Sequence, residues 1–356
     1  MPNWQRQAHE RIERFVEDGT LPAVALATGT SNDVHVTFAG TLAATEPVTR
    51  TTRVDVASLT KVMATLPLTL RLVDEGHFDL DTEIKTLIPN AGWLHEPSLG
   101  DRTVRELLLH TSGLPATLPF IAVASNRRQV LGQAMASALT APPGTVQYSD
   151  LGFILLGAIA ESQTGLRLDA LFENHVAHAL DMPNTGFVPI EEAGAPPHPG
   201  TAPTEVCAWR GGLMQGQVHD EGAWLMGGVA GHAGLFTTID DAARYAQAWL
   251  TRDARLAPRD VIDAAVRRGT PPGQPARGLG WVLARDDDEP PSESVDWRGA
   301  SGFGHTGFTG TSLWIDPVSD RFCVLLSNRV YPNRHRVATM SALRQALHAT
   351  VFSGEH

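Results

Sequence analysis

The chain has 356 residues, enough for one large domain or two that share a core. Hydrophobic residues make up 42% and charged residues 19%, which excludes a disordered composition. The formal net charge of −11 argues against nucleic acid as a partner, because neutralising phosphates takes a surplus of lysine and arginine.

The opening MPNWQRQAHERIERFVEDG is charged throughout and lacks the apolar stretch of a signal peptide, so the chain as it stands is expected to be cytoplasmic. Ile12, Phe15 and Val16 give it one apolar helical stripe. Residues 23–28 (AVALAT) and 34–39 (VHVTFA) are β-prone, and Ser31, Asn32 and Asp33 between them predict a hairpin. From Ser58 the spacing changes. Leu59, Val62, Met63, Leu66, Leu70 and Val73 recur at helical intervals as far as Gly76, and Pro67 inside the run predicts a kink.

Thr103–His110 and Leu131–Leu139 read as helices, and Ala141-Pro142-Pro143-Gly144 breaks the chain before Tyr148. Gly152–Ser162 is a strongly apolar helix. Residues 189–204, rich in Pro, Ala and Gly, read as a surface loop, and 211–234 are glycine-rich with little periodicity. Ile239–Leu250 reads as a helix with Thr238 or Asp240 as N-cap. Gly280–Arg285 reads as a strand and Asp286–Pro291 as a solvated acidic tip. Strands at Thr311–Ile315 and Phe322–Leu326 precede a last helix at about 337–348. No window is long and apolar enough for a membrane span. Cys207 and Cys323 lie far apart, outside any C-x-x-C pattern, and read as free thiols. Strands at both ends with helices between predict an α+β layout.

Ser58-Leu59-Thr60-Lys61 places an amine one helical turn from a hydroxyl. A serine hydroxyl needs a base beside it to become a nucleophile, and a desolvated lysine is one. Only two lysines, Lys61 and Lys85, stand among 28 basic residues. Arginine holds its proton at any working pH, whereas lysine is tuned by its surroundings. Tyr148-Ser149-Asp150 follows a Pro-Gly loop, and a tyrosine near a lysine can pass a proton to a leaving group. His305-Thr306-Gly307 precedes a strand. His305 and Thr306 are candidate donors to a carbonyl, and a small residue at Gly307 lets a substrate lie along the strand edge.

The order Ser-x-x-Lys, Tyr-x-Asp, His-Thr-Gly resembles the β-lactamase-related serine hydrolases: class C β-lactamases, D-alanyl-D-alanine carboxypeptidases, D-aminopeptidases and family VIII esterases. PAVALA, ASLTK, TVRELLLHTSGLP, PPGTVQYSDLGFILLG and HTGFTGTSLWIDP extend the resemblance from about residue 8 to 350. The resemblance implies a β-lactamase/transpeptidase-like fold. An antiparallel sheet from 1–75 and 235–356 is flanked by helices, and a mostly helical domain at 76–234 packs beside it. It further implies Ser58 as nucleophile, Lys61 as its base partner, Tyr148 as the catalytic tyrosine, and the N–H groups of Ser58 and Phe308 as an oxyanion hole. No cofactor or metal is implied.

Two departures shape the substrate expectation. Asp150 stands where class C β-lactamases have Asn, and an ionised Asp only accepts hydrogen bonds. His305 stands where they have Lys, and histidine is mostly neutral at pH 7. Both favour a neutral small-molecule ester, amide or peptide over a substrate carboxylate. The reading is esterase-like, with a D-peptidase or weak β-lactamase as alternatives and a non-catalytic binder as a remote one. Asp150 also has the option of pairing with Lys61 and shifting the base role towards Tyr148. His219, Asp220 and His232 are expected to line the pocket, and their spacing fits no metal motif. The sequence leaves the oligomeric state open.

Overall fold

The computed structural model describes residues 2–43, 46–88, 97–190, 200–284, 302–335 and 340–352. The acidic tip at Asp286–Pro291 lies outside them, as do Arg285, most of the 189–204 loop and the start of the last predicted helix.

β1 (Ala23–Gly29) and β2 (Val34–Gly40) form the predicted hairpin. They are followed by β3 (Val54–Asp55), β4 (Gly186–Phe187), β5 (Pro203–Cys207), β6 (Gly212–Gln215) and β7 (Leu235–Thr237). β8 (Val282–Leu283), β9 (Phe303–Thr306), β10 (Ser312–Asp316) and β11 (Arg321–Ser327) complete the set. Six of them make an antiparallel sheet in the order β2-β1-β11-β10-β9-β8, so the N-terminal hairpin docks on the last strands of the chain.

Side chains alternate across this sheet, as the two-residue period of a strand demands. Val24, Leu26, Cys323 and Leu325 face the helices Asn3–Glu17 and Met340–Phe352. Ala25, Ala27, Val324 and Leu326 face the opposite way, into the main core with the helix Ile239–Thr251. Both faces are therefore covered, which is why β1 reads as an unbroken apolar run. Cys207 and Cys323 are free, and burial pushes the Cys323 thiol up to about 12.

The expected middle helices appear with shifted ends. Val104–Leu108 is closed by a capping box in which Thr103 and Glu106 bond each other's backbone. The second starts earlier than expected, at Arg127–Met135, because Asn126 accepts from Gln129 N–H as its cap. The third spans Asp150–Thr164, between the Ser149 cap and Gly165 at φ +72°. No helix among the described residues is long and apolar enough to cross a membrane.

Sequence patterning missed two small sheets. β3-β7-β4 consists of strands too short to carry a period, while β5 begins at the end of the stretch read as a loop and β6 lies in the glycine-rich stretch with little periodicity. The segment after Ser58 also departs from expectation. Residues Lys61–Thr65 form a π-helical turn, and Pro67 sits at the start of the helix Leu66–Asp74 instead of kinking one. The Leu66 N–H bonds Lys61 O, and Pro67 has no N–H to offer Val62 O. The buried Tyr245 hydroxyl donates to that carbonyl instead.

Candidate active site

Ser58 is held by a clamp on the residues before it. Val56 N–H bonds Leu235 O at 3.1 Å, and the hydroxyls of Thr309 and Thr311 donate to Asp55 O (2.7 Å) and Val56 O (3.0 Å). The fully buried Asp55 carboxylate accepts from Ala57 N–H (2.8 Å) and His219 N–H (2.6 Å). Burial raises its pKa to about 6, against the pull of those two bonds. Ala57 sits at φ +48°, a conformation a residue with a Cβ rarely adopts. The chain thus turns sharply into Ser58, at a place where Asp55 holds the turn.

Lys61 is completely buried. Its amine lies 2.9 Å from Ser58 Oγ, 2.7 Å from an Asp150 oxygen and 3.2 Å from His232 O. The amine donates to Ser58 Oγ and His232 O, and the Asp150 contact is an ion pair beside them. Burial alone would lower the Lys61 pKa, but Asp150 and Tyr148 outweigh it and hold it above the ordinary lysine value. Tyr148 is also raised, by burial first, while the Lys61 charge and hydrogen bonding to Lys61 and Ser58 oppose the rise.

The Tyr148 ring is enclosed by cations and imidazoles. The Lys61 amine lies 5.0 Å from its centroid and the Arg277 guanidinium carbon 5.7 Å. The His110 and His305 rings lie at 4.6 and 6.0 Å. His110 is buried at φ +57°, and its Nδ1 accepts from Ser149 N–H at 3.0 Å, which places its proton on Nε2. His110 lies in the TVRELLLHTSGLP stretch but has no role in the sequence-based reading of the site, and Arg277 carries no motif; the positive φ at a helix end gives no warning.

His305 reaches the site but not as a donor. Its Nδ1 contacts Thr306 O at 2.8 Å, so that nitrogen carries the proton. Burial, then Lys61 and Arg277, lower its pKa to about 3. The ring is neutral and its buried Nε2 has no protein partner among the described residues. That nitrogen is an acceptor, which corrects the expectation drawn from the sequence. Thr306 remains partly exposed beside it.

This histidine sets a pH dependence. Between about 3 and 6.5 the unfolded chain binds a proton at this position that the native state refuses, so stability rises with pH across that window and is lost as pH falls through it. His348, also lowered to about 3 by burial, acts with the same sign. Thermal unfolding from pH 7 to pH 4 is expected to show a falling Tm, with a smaller fall in His305→Gln.

Gly307 has a packing role that the sequence did not announce. A Cβ there would lie 2.1 Å from Thr311 Oγ1 and 2.3 Å from Val56 O, so the glycine lets the chain pack against the clamp. Phe308 follows, half exposed. Its ring stacks on His219 at 5.6 Å and lies under the Arg329 guanidinium at 4.6 Å, while Arg329 Nε donates to Phe308 O at 2.8 Å. Neither Ser58 N–H nor Phe308 N–H has a protein acceptor among the described residues.

His219, Asp220 and His232 do border this site, as two separate pairs. His219 Nε2 meets Glu205 at 3.0 Å, and Glu205 is held to about 2 by its bonds with Arg334, against burial. His232 Nε2 meets Asp220 at 2.8 Å. Among the described residues no three His, Cys, Asp or Glu side chains converge on a point that would hold a metal ion.

The profile of the family described as Beta-lactamase matches residues 8–348. The chain belongs to the Beta-lactamase family. A Salmonella typhi protein described as a "Putative D-alanyl-D-alanine carboxypeptidase" is 33% identical, over 79% of this chain and 70% of its own. EstCE1, described as a hydrolase with promiscuous acyltransferase activity, superposes with a TM-score of 0.77 at 19% identity, covering 98% of each chain. A class C beta-lactamase superposes at 0.75 and 19% identity, covering 99% of this chain and 96% of its own. Both solved structures share the β-lactamase/transpeptidase-like fold. The fold and family expected from the motifs are thus established, and the chain is a member of a serine hydrolase family.

Proposed function

We propose that the protein hydrolyses an ester or neutral amide through an acyl-enzyme on Ser58, with esterase-like preference. The observation that carries this reading is the 2.9 Å contact between Lys61 Nζ and Ser58 Oγ, inside a group that includes Asp150 and Tyr148. Ser58 Oγ bonds to the acyl carbon, and the bond to the leaving oxygen or nitrogen breaks. The Ser58 proton passes into the Lys61–Tyr148 pair, and Tyr148 returns it to the leaving group. The N–H groups of Ser58 and Phe308 face the carbonyl oxygen as its charge grows. Water then releases the acid.

Because Lys61 donates to Ser58 and is paired with Asp150, it positions Ser58 and lends it positive charge, while the raised pKa values of Lys61 and Tyr148 put proton acceptance on the alkaline side. kcat/KM is therefore expected to rise with pH above neutrality. Asp150→Asn removes the carboxylate that holds Lys61 charged, and its activity limb is expected to move to lower pH. A pH–rate profile of both proteins on p-nitrophenyl butyrate measures this.

Esterase-like preference rests on the absence of a free side-chain cation at His305 and on the commitment of Lys61 to Asp150. A D-peptidase is the second reading. The name of the Salmonella relative favours it, and so does Arg329, whose terminal amino groups have no partner among the described residues beside the Phe308 turn. A panel of short-chain esters against D-amino-acid peptides separates the two. The hydrolase reading itself is tested by intact mass after fluorophosphonate treatment. A single adduct is expected on the native protein and none on Ser58→Ala; an adduct of equal yield on both would remove Ser58 from the reaction.

A further inference from the structure

A cavity of about 720 Å³ lies beside Arg53 and the strand Gly186–Phe187. None of its lining residues belongs to the site described above. Its volume lies in the range of small-molecule sites. Phe172, Phe187 and Met182 form an apolar wall, the two phenyl rings meeting edge to face at 6.0 Å, and half-exposed Leu166 stands among the lining residues.

Arg53 brings a charge to this wall. One terminal amino group reaches Gly186 O at a long 3.4 Å, and the buried Nε has no partner. The acids nearby are already engaged. Asp241 accepts from Asn184 N–H, the Thr185 hydroxyl and Arg244. Asp169 is bonded at both oxygens by Arg167, and Glu173 lies 3.6 Å from His178. Asp241 also opposes the effect of burial on Arg53 as a partial counter-charge, and the guanidinium lies 6.0 Å from the Phe236 ring centroid, but no carboxylate among the described residues bonds it directly, so an anion that did would gain charge-assisted hydrogen bonds. The lining holds Arg53 and Arg167 against Asp169 and Glu173, with Asp241 acting on Arg53 from nearby, so a singly charged anion fits better than a phosphate dianion.

We propose that this cavity binds a small monocarboxylate with an apolar tail, the carboxylate on Arg53 and the tail against Phe172, Phe187 and Met182. The inference is independent of the reaction at Ser58. Calorimetric titration of the full chain with octanoate, octanol and acetate tests it. Octanoate is expected to bind one to one, with octanol and acetate each at least about tenfold weaker. Arg53→Gln is expected to weaken octanoate about tenfold, and Leu166→Asp, an exposed substitution that leaves the core intact, to weaken it by a similar factor. Ser58→Ala should bind octanoate as the native protein does. Equal binding of octanol and octanoate, native affinity in either Arg53→Gln or Leu166→Asp, or loss of octanoate binding in Ser58→Ala would overturn the proposal.

Discussion

Lys61→Ala is expected to lower kcat/KM on p-nitrophenyl butyrate by about 10²–10⁴-fold, the usual contribution of a positioned acid–base group. The amine it removes is the only one within reach of Ser58 Oγ among the described side chains, and nothing else there organises Asp150, Tyr148 and His232 O around one point. Lys61→Arg is expected not to restore the rate. A guanidinium keeps its proton at any working pH and is larger than the fully buried space allows. Folding should survive the alanine change. The Asp150 oxygen facing Lys61 is buried, but the side chain as a whole is 21% exposed, so a lowered Tm is expected without loss of the fold. Steady-state rates with a thermal melt on the same sample separate the two effects. A variant that melts normally and keeps a rate within about threefold of native would reduce Lys61 to a structural role.

Gly307→Ala is the second large effect. Its added methyl would stand 2.3 Å from Val56 O, a backbone atom of the clamp just ahead of Ser58, and 2.1 Å from Thr311 Oγ1. The hydroxyl can rotate away, but it then abandons its bond to Val56 O. The carbonyl cannot move without shifting Ala57 and Ser58. Overpacking of this kind costs about 1–3 kcal/mol, and the displaced turn also carries Phe308 N–H. We expect a lower Tm together with a fall in kcat larger than the change in KM. An active Gly307→Ala protein with native stability would show that the clamp tolerates more play than its contacts indicate.

The parts of this molecule legible in the sequence were those with a period, a bounded β-prone run or a dense motif. The amphipathic helices repeat near 3.6 residues, while β1, β10 and β11 stand out as short β-prone runs bounded by turn residues. Ser58, Lys61, Tyr148 and His305 lie in compact triplets and quartets. What escaped was set by distant partners. The π turn after Lys61 depends on a missing N–H at Pro67 and a hydroxyl from Tyr245. The donor-to-acceptor reversal at His305 follows from the carbonyl of its own neighbour and from burial, which no local pattern announces. Asp55, Glu205 and Arg334 are ordinary charges in sequence, and only the fold makes them a support for the Ser58 turn and for His219.

The partnership of β1 with β11 has a consequence for biosynthesis. Val24 pairs with Ser327, and Gly29 with Phe322. A ribosome that has made the Ser58 turn, its helix and every part up to Asp316 still holds β1 with one unpaired edge. Such bare edges attract strands from neighbouring molecules. Nascent chains stalled before Arg321 should therefore need a chaperone, and closure of the sheet should be among the last steps on the way to an active molecule.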